Sequence, residues 1–264
     1  MRRAVLLAAA TALATGALVA GLWLILPDPS AVRTRNPRTT AVIEQRRAEA
    51  LARRRAFRPR QSWVGLDRIS PALVDAVLAS EDARFFAHGA FDWTEVGAAA
   101  DDSLHAGRAL RGASTLSQQL AKNLWLGTER TPWRKAKEAV LAVKLERVVP
   151  KRRILALYLN VAEWGDGVFG AEAAARARFG TAASDLSPAQ GALLAAMLPA
   201  PRRADLAHPS AGLARRARRI LDRLLEAGKL DPLAHAHASA ELERCLMGST
   251  GGPDDPDDAD DPAD

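Results

Sequence analysis

The chain has 264 residues, 48% of them hydrophobic, which is enough for one good-sized globular domain with additional segments. The tail from Gly248 to Asp264 holds seven Asp and no Lys or Arg, so a net charge of +6 leaves +13 on the rest of the chain. A body this basic favours a phosphate-bearing partner or a membrane surface. The single cysteine, Cys245, excludes an internal disulfide framework and a cysteine-rich metal site.

Residues 4–26 form a run of 23 uncharged residues, long enough to cross a bilayer as a helix. Arg2 and Arg3 precede the run, which predicts a short N-terminus (residues 1–3) in the cytoplasm and the bulk of the chain outside. The alternatives are a cleaved signal peptide and a buried core helix. The run exceeds a usual signal-peptide core, and no clear cleavage site follows it. We interpret it as an uncleaved anchor.

Residues 27–63 are predicted to be a connector, because prolines at 27, 29 and 37 forbid a continuous helix at its start. Residues 41–57 then have helical composition and contain five arginines. This helix either lies against acidic lipid head groups or is simply a solvated basic helix, and both interpretations stay open. A nucleic-acid partner is not expected outside the cytoplasm.

A helix is predicted to begin at Ser70-Pro71, which supplies an N-cap hydroxyl and a proline at the first helical position. Glu81 and Asp82 fall at its C-terminal end, where the helix dipole disfavours a negative charge. An acid in that place is a candidate for a raised pKa, which a general base needs. The alternative is a pair of ordinary surface acids.

A second helix is predicted to carry Ser114, Gln118 and Lys122 on one face, at positions i, i+4 and i+8. This hydroxyl, amide and ammonium would form a ladder suited to a sugar or a phosphate. The alternative is a plain solvated face. The apolar positions lie on a different face and point to the core: Leu116, Leu120 and Leu124.

Arg130 lies in a predicted turn before a helix that begins near Trp133. In that helix Arg134 and Glu138 are four residues apart, with Lys135 and Lys137 beside them. Alternating acids and cations suit an anionic substrate and a proton transfer. The alternative is a helix-surface ion pair worth only a few tenths of a kcal/mol.

The remaining chain reads as helices, and no strand alternation or internal repeat is found, so the predicted fold class is all-α. There is no Walker loop, dinucleotide glycine motif or HExxH sequence. His235 and His237 are two residues apart and do not share a helical face, so they are not a predicted metal pair. Further helices are expected at 94–110, 151–160, 171–180, 188–198, 210–227 and 232–247.

Four blocks occur in one order behind the apolar run: EDARFFAH, GASTLSQQLAKN, RKAKEAVLAVKLE and ILALYLNVAEWGDGVFGAEAAARARFG. Together they resemble the peptidoglycan glycosyltransferase domain of glycosyltransferase family 51, over roughly 64–204. The resemblance implies a lysozyme-like α-helical head with a smaller membrane-proximal lobe, facing a bacterial periplasm from the inner membrane. It also implies polymerisation of lipid II into β-1,4-linked glycan, with inversion and release of undecaprenyl diphosphate. The segment after Ala204 is too short for a transpeptidase domain, so a monofunctional member is expected.

The resemblance also implies roles for individual residues. Glu81 falls on the catalytic base and Glu138 on the second glutamate of the catalytic site. The implied substrate-binding residues are Lys122 and Arg130 at the donor diphosphate, Ser114 and Gln118 in the donor site, and Arg134 and Lys137 at the cleft border. No metal ligands are specified, although a divalent cation could assist. The implied partners are lipid II, the growing lipid-linked glycan, membrane lipids and, as candidates, cell-wall synthesis proteins.

Four positions depart from the family pattern. The glycine after His88 comes one residue early, as Gly89, and Ala113 replaces a common glycine. Arg153 and Ala156 stand where many members carry acids, so no acidic role is expected there.

The expected organisation after the anchor and connector is a glycosyltransferase domain over 64–247 and a disordered acidic tail over 248–264. Two other functions compete with a polymerase: a lysozyme-like lytic enzyme of finished glycan, and a non-catalytic membrane scaffold of a cell-wall complex. A cleaving enzyme does not need the cations at Lys122, Arg130 and Arg134, and a decayed scaffold need not keep both glutamates.

Overall fold

A computed structural model describes residues 2–106 and 114–247. The predicted acidic tail, residues 107–110 of the predicted helix and Ala113 lie outside the described residues. The described helices are, in chain order, α1 Arg2–Ile25, α2 Ser30–Thr34, α3 Ala41–Ala52, α4 Pro71–Glu81, α5 Trp93–Ala106, α6 Leu116–Ala121, α7 Pro132–Val148, α8 Lys151–Val161, α9 Ala171–Phe179, α10 Pro188–Met197, α11 Ala211–Glu226 and α12 Pro232–Met247.

Within the described chain, α1 is the one helix long and apolar enough to span a membrane, with nearly all of its residues exposed. Its C-terminal end touches α7. Lys144 Nζ donates to the carbonyl oxygens of Trp23 (3.1 Å) and Leu26 (2.7 Å), and Arg147 stacks on the Trp23 ring. A cation therefore satisfies carbonyls that the end of a helix leaves unpaired.

The core of the body is helical. Helix α4 packs on α10, and α10 packs on α11. Ser70 caps α4 and Ser187 caps α10, each with proline at the start of the helix, as the sequence predicts. The predicted core positions of α11 are all buried: Leu213, Ala217, Ile220, Leu221 and Leu224.

Gly191 lies where α4 and α10 come closest. A Cβ at this position would stand 3.0 Å from backbone atoms of Ala72 and 3.1 Å from the Cα of Leu73. The two backbones can approach this closely because Gly191 has no side chain.

A three-stranded sheet interrupts the helices, in the order β1 Arg60–Gln61, β3 Val168–Phe169, β2 Glu163–Gly165. Strand β1 pairs parallel to β3, and β2 pairs antiparallel to β3. The all-α class is confirmed, but the prediction of no strands is wrong. Strands of two or three residues are too short to show an alternating pattern.

The predicted connector packs on the body. Val42 and Ile43 of α3 are buried against Phe169 of the sheet. Arg46 makes hydrogen bonds of 2.9–3.1 Å to Glu163, whose side chain is 6% exposed. Helix α3 is thus neither a fully solvated helix nor one whose arginines are all free for lipid, because Arg46 is used inside the protein.

Arg153, one of the departures from the family pattern, also binds the connector. Its guanidinium donates to the carbonyl oxygens of Val32 and Arg35 and to Asn36 Oδ1, at 2.8–3.0 Å. An acid at this position could not donate these hydrogen bonds. Arg153 therefore ties α8 to the segment that follows the anchor.

Candidate active site

Glu81 is the last residue of α4, as predicted. Its Oε2 accepts a hydrogen bond of 2.8 Å from Gln119 Nε2. Burial raises the pKa of the Glu81 carboxyl; the Gln119 hydrogen bond and the charge of Lys122 oppose this rise, and the charge of Asp82 adds to it. A carboxylate with a raised pKa is suited to accept a proton near neutral pH.

Gln119 is held in turn by Tyr158, whose hydroxyl donates to Gln119 Oε1 over 3.0 Å. Tyr158 is buried, and its pKa lies well above the usual value because of burial and the charges of Glu81 and Asp82. The phenol therefore stays protonated and remains a donor. This fixes the amide so that its NH₂ group points at Glu81.

Asp82 connects the end of α4 to the start of α6. One carboxylate oxygen accepts from the backbone N–H of Leu116 (2.9 Å), and the other lies 2.7 Å from His88 Nε2. Asp82 is buried and fully used by these contacts, so it holds the backbone beside Glu81 and is not an ordinary surface acid.

Lys122 begins a π-helix, Lys122–Leu126, that continues α6. Burial lowers the pKa of its ammonium, whereas the charges of Glu138 and Glu81 oppose this fall. The Lys122 ammonium is therefore close enough to both predicted catalytic carboxylates for their charges to act on it. A π-helix inside an α-helical run is itself frequent at functional sites.

Glu138 lies on α7, and its side chain is only 3% exposed. Arg134 Nη1 donates to one of its oxygens, and Lys135 Nζ donates to the other over 2.7 Å. The interpretation of Arg134 and Glu138 as a surface ion pair is therefore wrong, because the carboxylate is buried between cations. Lys135 also donates to Ser114 Oγ over 2.7 Å, which places Ser114 beside this cluster.

The predicted ladder of Ser114, Gln118 and Lys122 is wrong in its geometry. Helix α6 starts at Leu116 with Thr115 as its N-cap, so Ser114 precedes the helix. Gln118 is buried, and its Oε1 accepts from the backbone N–H of Thr115, completing a capping box. The amide that reaches the site is that of Gln119, which sequence reasoning missed.

A Thr-x-x-Gln capping box from Thr115 to Gln118 was the sequence signal that could have assigned these two amides. It moves the helix start past Ser114 and uses Gln118 for the cap. The next amide, Gln119, then stands three residues before Lys122 on the same side of the helix.

Two further predicted residues lie at the margin of the cluster. Arg130 is exposed in the turn between the π-helix and α7. Lys137 is partly buried, and its Nζ lies 5.4 Å from the centre of the Trp133 ring. The structure therefore brings together Glu81, Lys122, Glu138, Arg134 and Ser114, with Lys135 and Gln119 added to the predicted set.

A cavity of about 470 Å³ is lined by Arg84, the segment 87–94 and part of α7 including Arg147. Neither Glu81 nor Glu138 lines it. Among the residues described, no group of three His, Cys, Asp or Glu side chains is arranged to hold a metal ion.

Comparison with known proteins decides the family. A profile of the family described as Transglycosylase matches residues 22–225, which include the whole cluster. The chain belongs to the transglycosylase family. It is 48% identical over 217 residues to a biosynthetic peptidoglycan transglycosylase of Chromobacterium violaceum, covering 81% of this chain and 93% of that protein.

Two other relatives bear the same name. The protein from Laribacter hongkongensis is 49% identical over 189 residues, covering 72% of this chain and 83% of the relative. The protein from Rhodospirillum centenum is 55% identical over 162 residues, covering 61% and 70%. Family membership makes this chain a glycosyltransferase that acts in peptidoglycan polymerisation, as the sequence blocks predicted.

Among solved structures, penicillin-binding protein 1A from Haemophilus influenzae is similar, with a TM-score of 0.41 and 20% identity. The match covers 69% of this chain and 18% of that one.

Proposed function

We propose that this chain polymerises lipid II into β-1,4-linked glycan strands at the bacterial inner membrane. The observation that carries the proposal is the cluster in which the Lys122 ammonium interacts with both Glu81 and Glu138. Transfer from a lipid-linked diphosphate requires three things: a base with a raised pKa, fixed cations and a nearby membrane anchor.

In this proposal Glu81 removes the proton from the 4-hydroxyl of the GlcNAc on incoming lipid II. The oxygen forms a bond to the donor sugar carbon while the bond from that carbon to the diphosphate breaks, with inversion. The hydrogen bond from Gln119 orients the carboxylate, and its raised pKa makes it a better proton acceptor than an exposed glutamate.

The leaving undecaprenyl diphosphate carries the negative charge that develops in the reaction. Lys122 is fixed at the start of the π-helix, and Arg134 and Lys135 are held by Glu138. Cations that are already in place compensate this charge without reorganising at the moment of reaction. Glu138 acts by holding these cations, and Arg130 in the adjoining turn extends the set. Assistance by a divalent cation stays a prediction.

The membrane side of the proposal rests on α1. This helix fits a single-pass anchor, and Arg2 and Arg3 at its start favour a cytoplasmic N-terminus. The catalytic domain then lies in the periplasm. Because Lys144 of α7 binds the end of α1, the helix that carries Glu138 stands directly at the membrane, where a lipid-linked substrate is found.

The test uses the purified full-length protein in detergent, supplied either with labelled lipid II or with preformed glycan strands. We expect long strands from lipid II and no shortening of preformed ones. Shortening of preformed strands without polymer would contradict the proposal in favour of a lytic enzyme. Absence of any turnover would contradict it in favour of a scaffold.

A further inference from the structure

Helix α3 packs on the π-helix and makes hydrogen bonds to Thr128, just after the end of the π-helix. Gln45 Oε1 accepts from the backbone N–H of Thr128 over 2.8 Å, and Gln45 Nε2 donates to Thr128 Oγ1 over 2.8 Å. Nε2 also donates to Glu49 Oε1 over 3.0 Å. Both ends of the amide are thus used, and they fix the backbone and the side chain of Thr128 together.

Thr128 follows Gly127, where the π-helix ends. The N–H of Gly127 donates to the carbonyl oxygen of Lys122 over 3.0 Å, which is the five-residue bond that closes the π-helix. Gly127 has φ +77°, and a Cβ there would stand 2.8 Å from Gln45 Oε1. The glutamine amide therefore occupies the space beside Gly127 that a side chain would need.

The same π-helix holds the cation of the candidate active site. Its first residue is Lys122, whose ammonium interacts with Glu81 and Glu138. The closing bond reaches the backbone of Lys122 itself, so a path from Gln45 to Lys122 runs through Thr128 and Gly127. Any shift of Thr128 changes the turn that presents Lys122.

Helix α3, which carries Gln45, is held in place by contacts with the body of the protein. Next to it on α3, Arg46 is hydrogen-bonded to buried Glu163 of β2 and pairs with Glu49 at 2.8 Å. Val42 and Ile43 of the same helix are buried in the body. A side chain presented by a packed helix holds its partner more closely than one presented by a loop.

We propose that Gln45 is a positioning residue for glycosyl transfer: it holds the Thr128–Gly127 end of the π-helix and thereby sets the place of the Lys122 ammonium. The proposal rests on the function proposed above for this site. It makes α3, which the sequence assigned to a connector, part of the machinery that orders the active site.

The first test compares kcat for lipid II polymerisation by full-length variants. Gln45→Leu removes every hydrogen bond to Thr128, and we expect kcat to fall about 10- to 100-fold, the size of effect produced by slight misplacement of a catalytic group. Thr128→Val keeps the backbone bond and should lose less, whereas Thr128→Ser should retain activity. Glu44→Gln is the matched control, because the neighbouring Glu44 makes only exposed contacts, to Thr39 and Arg47.

The second readout is the pH profile, which separates positioning from a general loss of structure. The groups that act on Glu81 are Gln119, Lys122 and Asp82, and Lys122 is the cation that favours its ionised form. Moving the ammonium away raises the pKa of Glu81, so the acid limb of kcat/KM should move to higher pH in Gln45→Leu. A merely structural defect would lower the rate without moving the limb.

A lower kcat together with a shifted acid limb supports the proposal. An unchanged kcat, or a lower kcat with the limb in its wild-type place, overturns it. If wild-type protein polymerises lipid II while Gln45→Leu behaves like wild type, only the positioning role fails. If wild-type protein does not polymerise lipid II, the proposed function fails and the positioning role with it.

Discussion

At the scale of single residues, burial in the site disfavours the charged forms of its acidic and basic side chains. Burial raises the pKa of Glu81 and lowers the pKa of Lys122, and each partly restores the other's charge. Such opposed pKa shifts are typical of functional sites, where groups needed for activity lower the folding stability.

These shifts predict a bell-shaped pH dependence of kcat/KM. The base must be ionised, so the rate rises as pH rises through a Glu81 pKa that lies above 4.5. The cation must stay charged, so the rate falls as pH rises through a Lys122 pKa below 10.5. The measurement is initial rate of lipid II polymerisation against pH, and an acid limb at or below pH 4.5 would contradict the assignment.

The resemblance assigned Glu81, Lys122 and Glu138 to one site, and their roles stay predictions. Sequence reasoning missed Gln119 because the helical face was counted from Ser114, which precedes the Thr115 cap and the first helical residue, Leu116. It left a surface ion pair of Arg134 and Glu138 open as an alternative, since spacing along α7 shows which residues can pair but not what covers them. Burial by α6 and the π-helix is a tertiary effect.

At the scale of elements, helix starts were the most predictable feature. Ser70-Pro71 and Ser187-Pro188 act locally, so sequence alone placed both starts. The sheet and the packing of α3 depend on residues far apart, such as Arg46 and Glu163, and no local pattern encodes them. The π-helix at Lys122 was likewise not predicted, and the end of its last turn is held by Gln45 of α3, far away in the sequence.

The contact between α4 and α10 predicts the effect of Gly191→Ala. The added methyl group would press on the backbone of Ala72 and Leu73, so we expect a loss of about 1–3 kcal/mol in the free energy of unfolding. Because α4 ends at Glu81, activity should fall as well. Denaturant unfolding measures the first effect and a polymerisation assay the second.

Gly97→Ala is the matched control for this prediction. Gly97 is also within a helix, but a Cβ there would meet nothing within 4 Å. Alanine should be neutral or slightly stabilising at this position. Equal stability of Gly191→Ala and Gly97→Ala would show that the two helices can separate without cost.

At the scale of the whole molecule, the anchor, the connector and the catalytic body form one continuous contact path. Lys144 binds the end of α1, Arg153 binds the segment around α2, and α3 holds the π-helix. Residues 27–63 thus pack against the catalytic helices along much of their length, and the boundary at 64 stays a prediction.

This arrangement predicts that Lys144→Met impairs the enzyme more in a bilayer than in detergent. The variant keeps the length of the side chain but cannot donate to Trp23 and Leu26. A bilayer fixes the depth of the anchor, whereas a micelle adapts when the contact between α1 and α7 is weakened. The ratio of activity in proteoliposomes to activity in detergent should fall for Lys144→Met and stay unchanged for Arg152→Met, a change at an exposed position. Equal ratios would contradict a positioning role for this contact.

Glu81→Gln tests whether Glu81 is the base of the reaction. Glutamine has the same shape but cannot accept the proton, so we expect the rate of lipid II polymerisation by purified full-length protein to fall at least about 100-fold, with Tm not lowered. Glu95→Gln, the same change at an exposed glutamate, should polymerise like wild type. A near wild-type rate for Glu81→Gln would contradict the account.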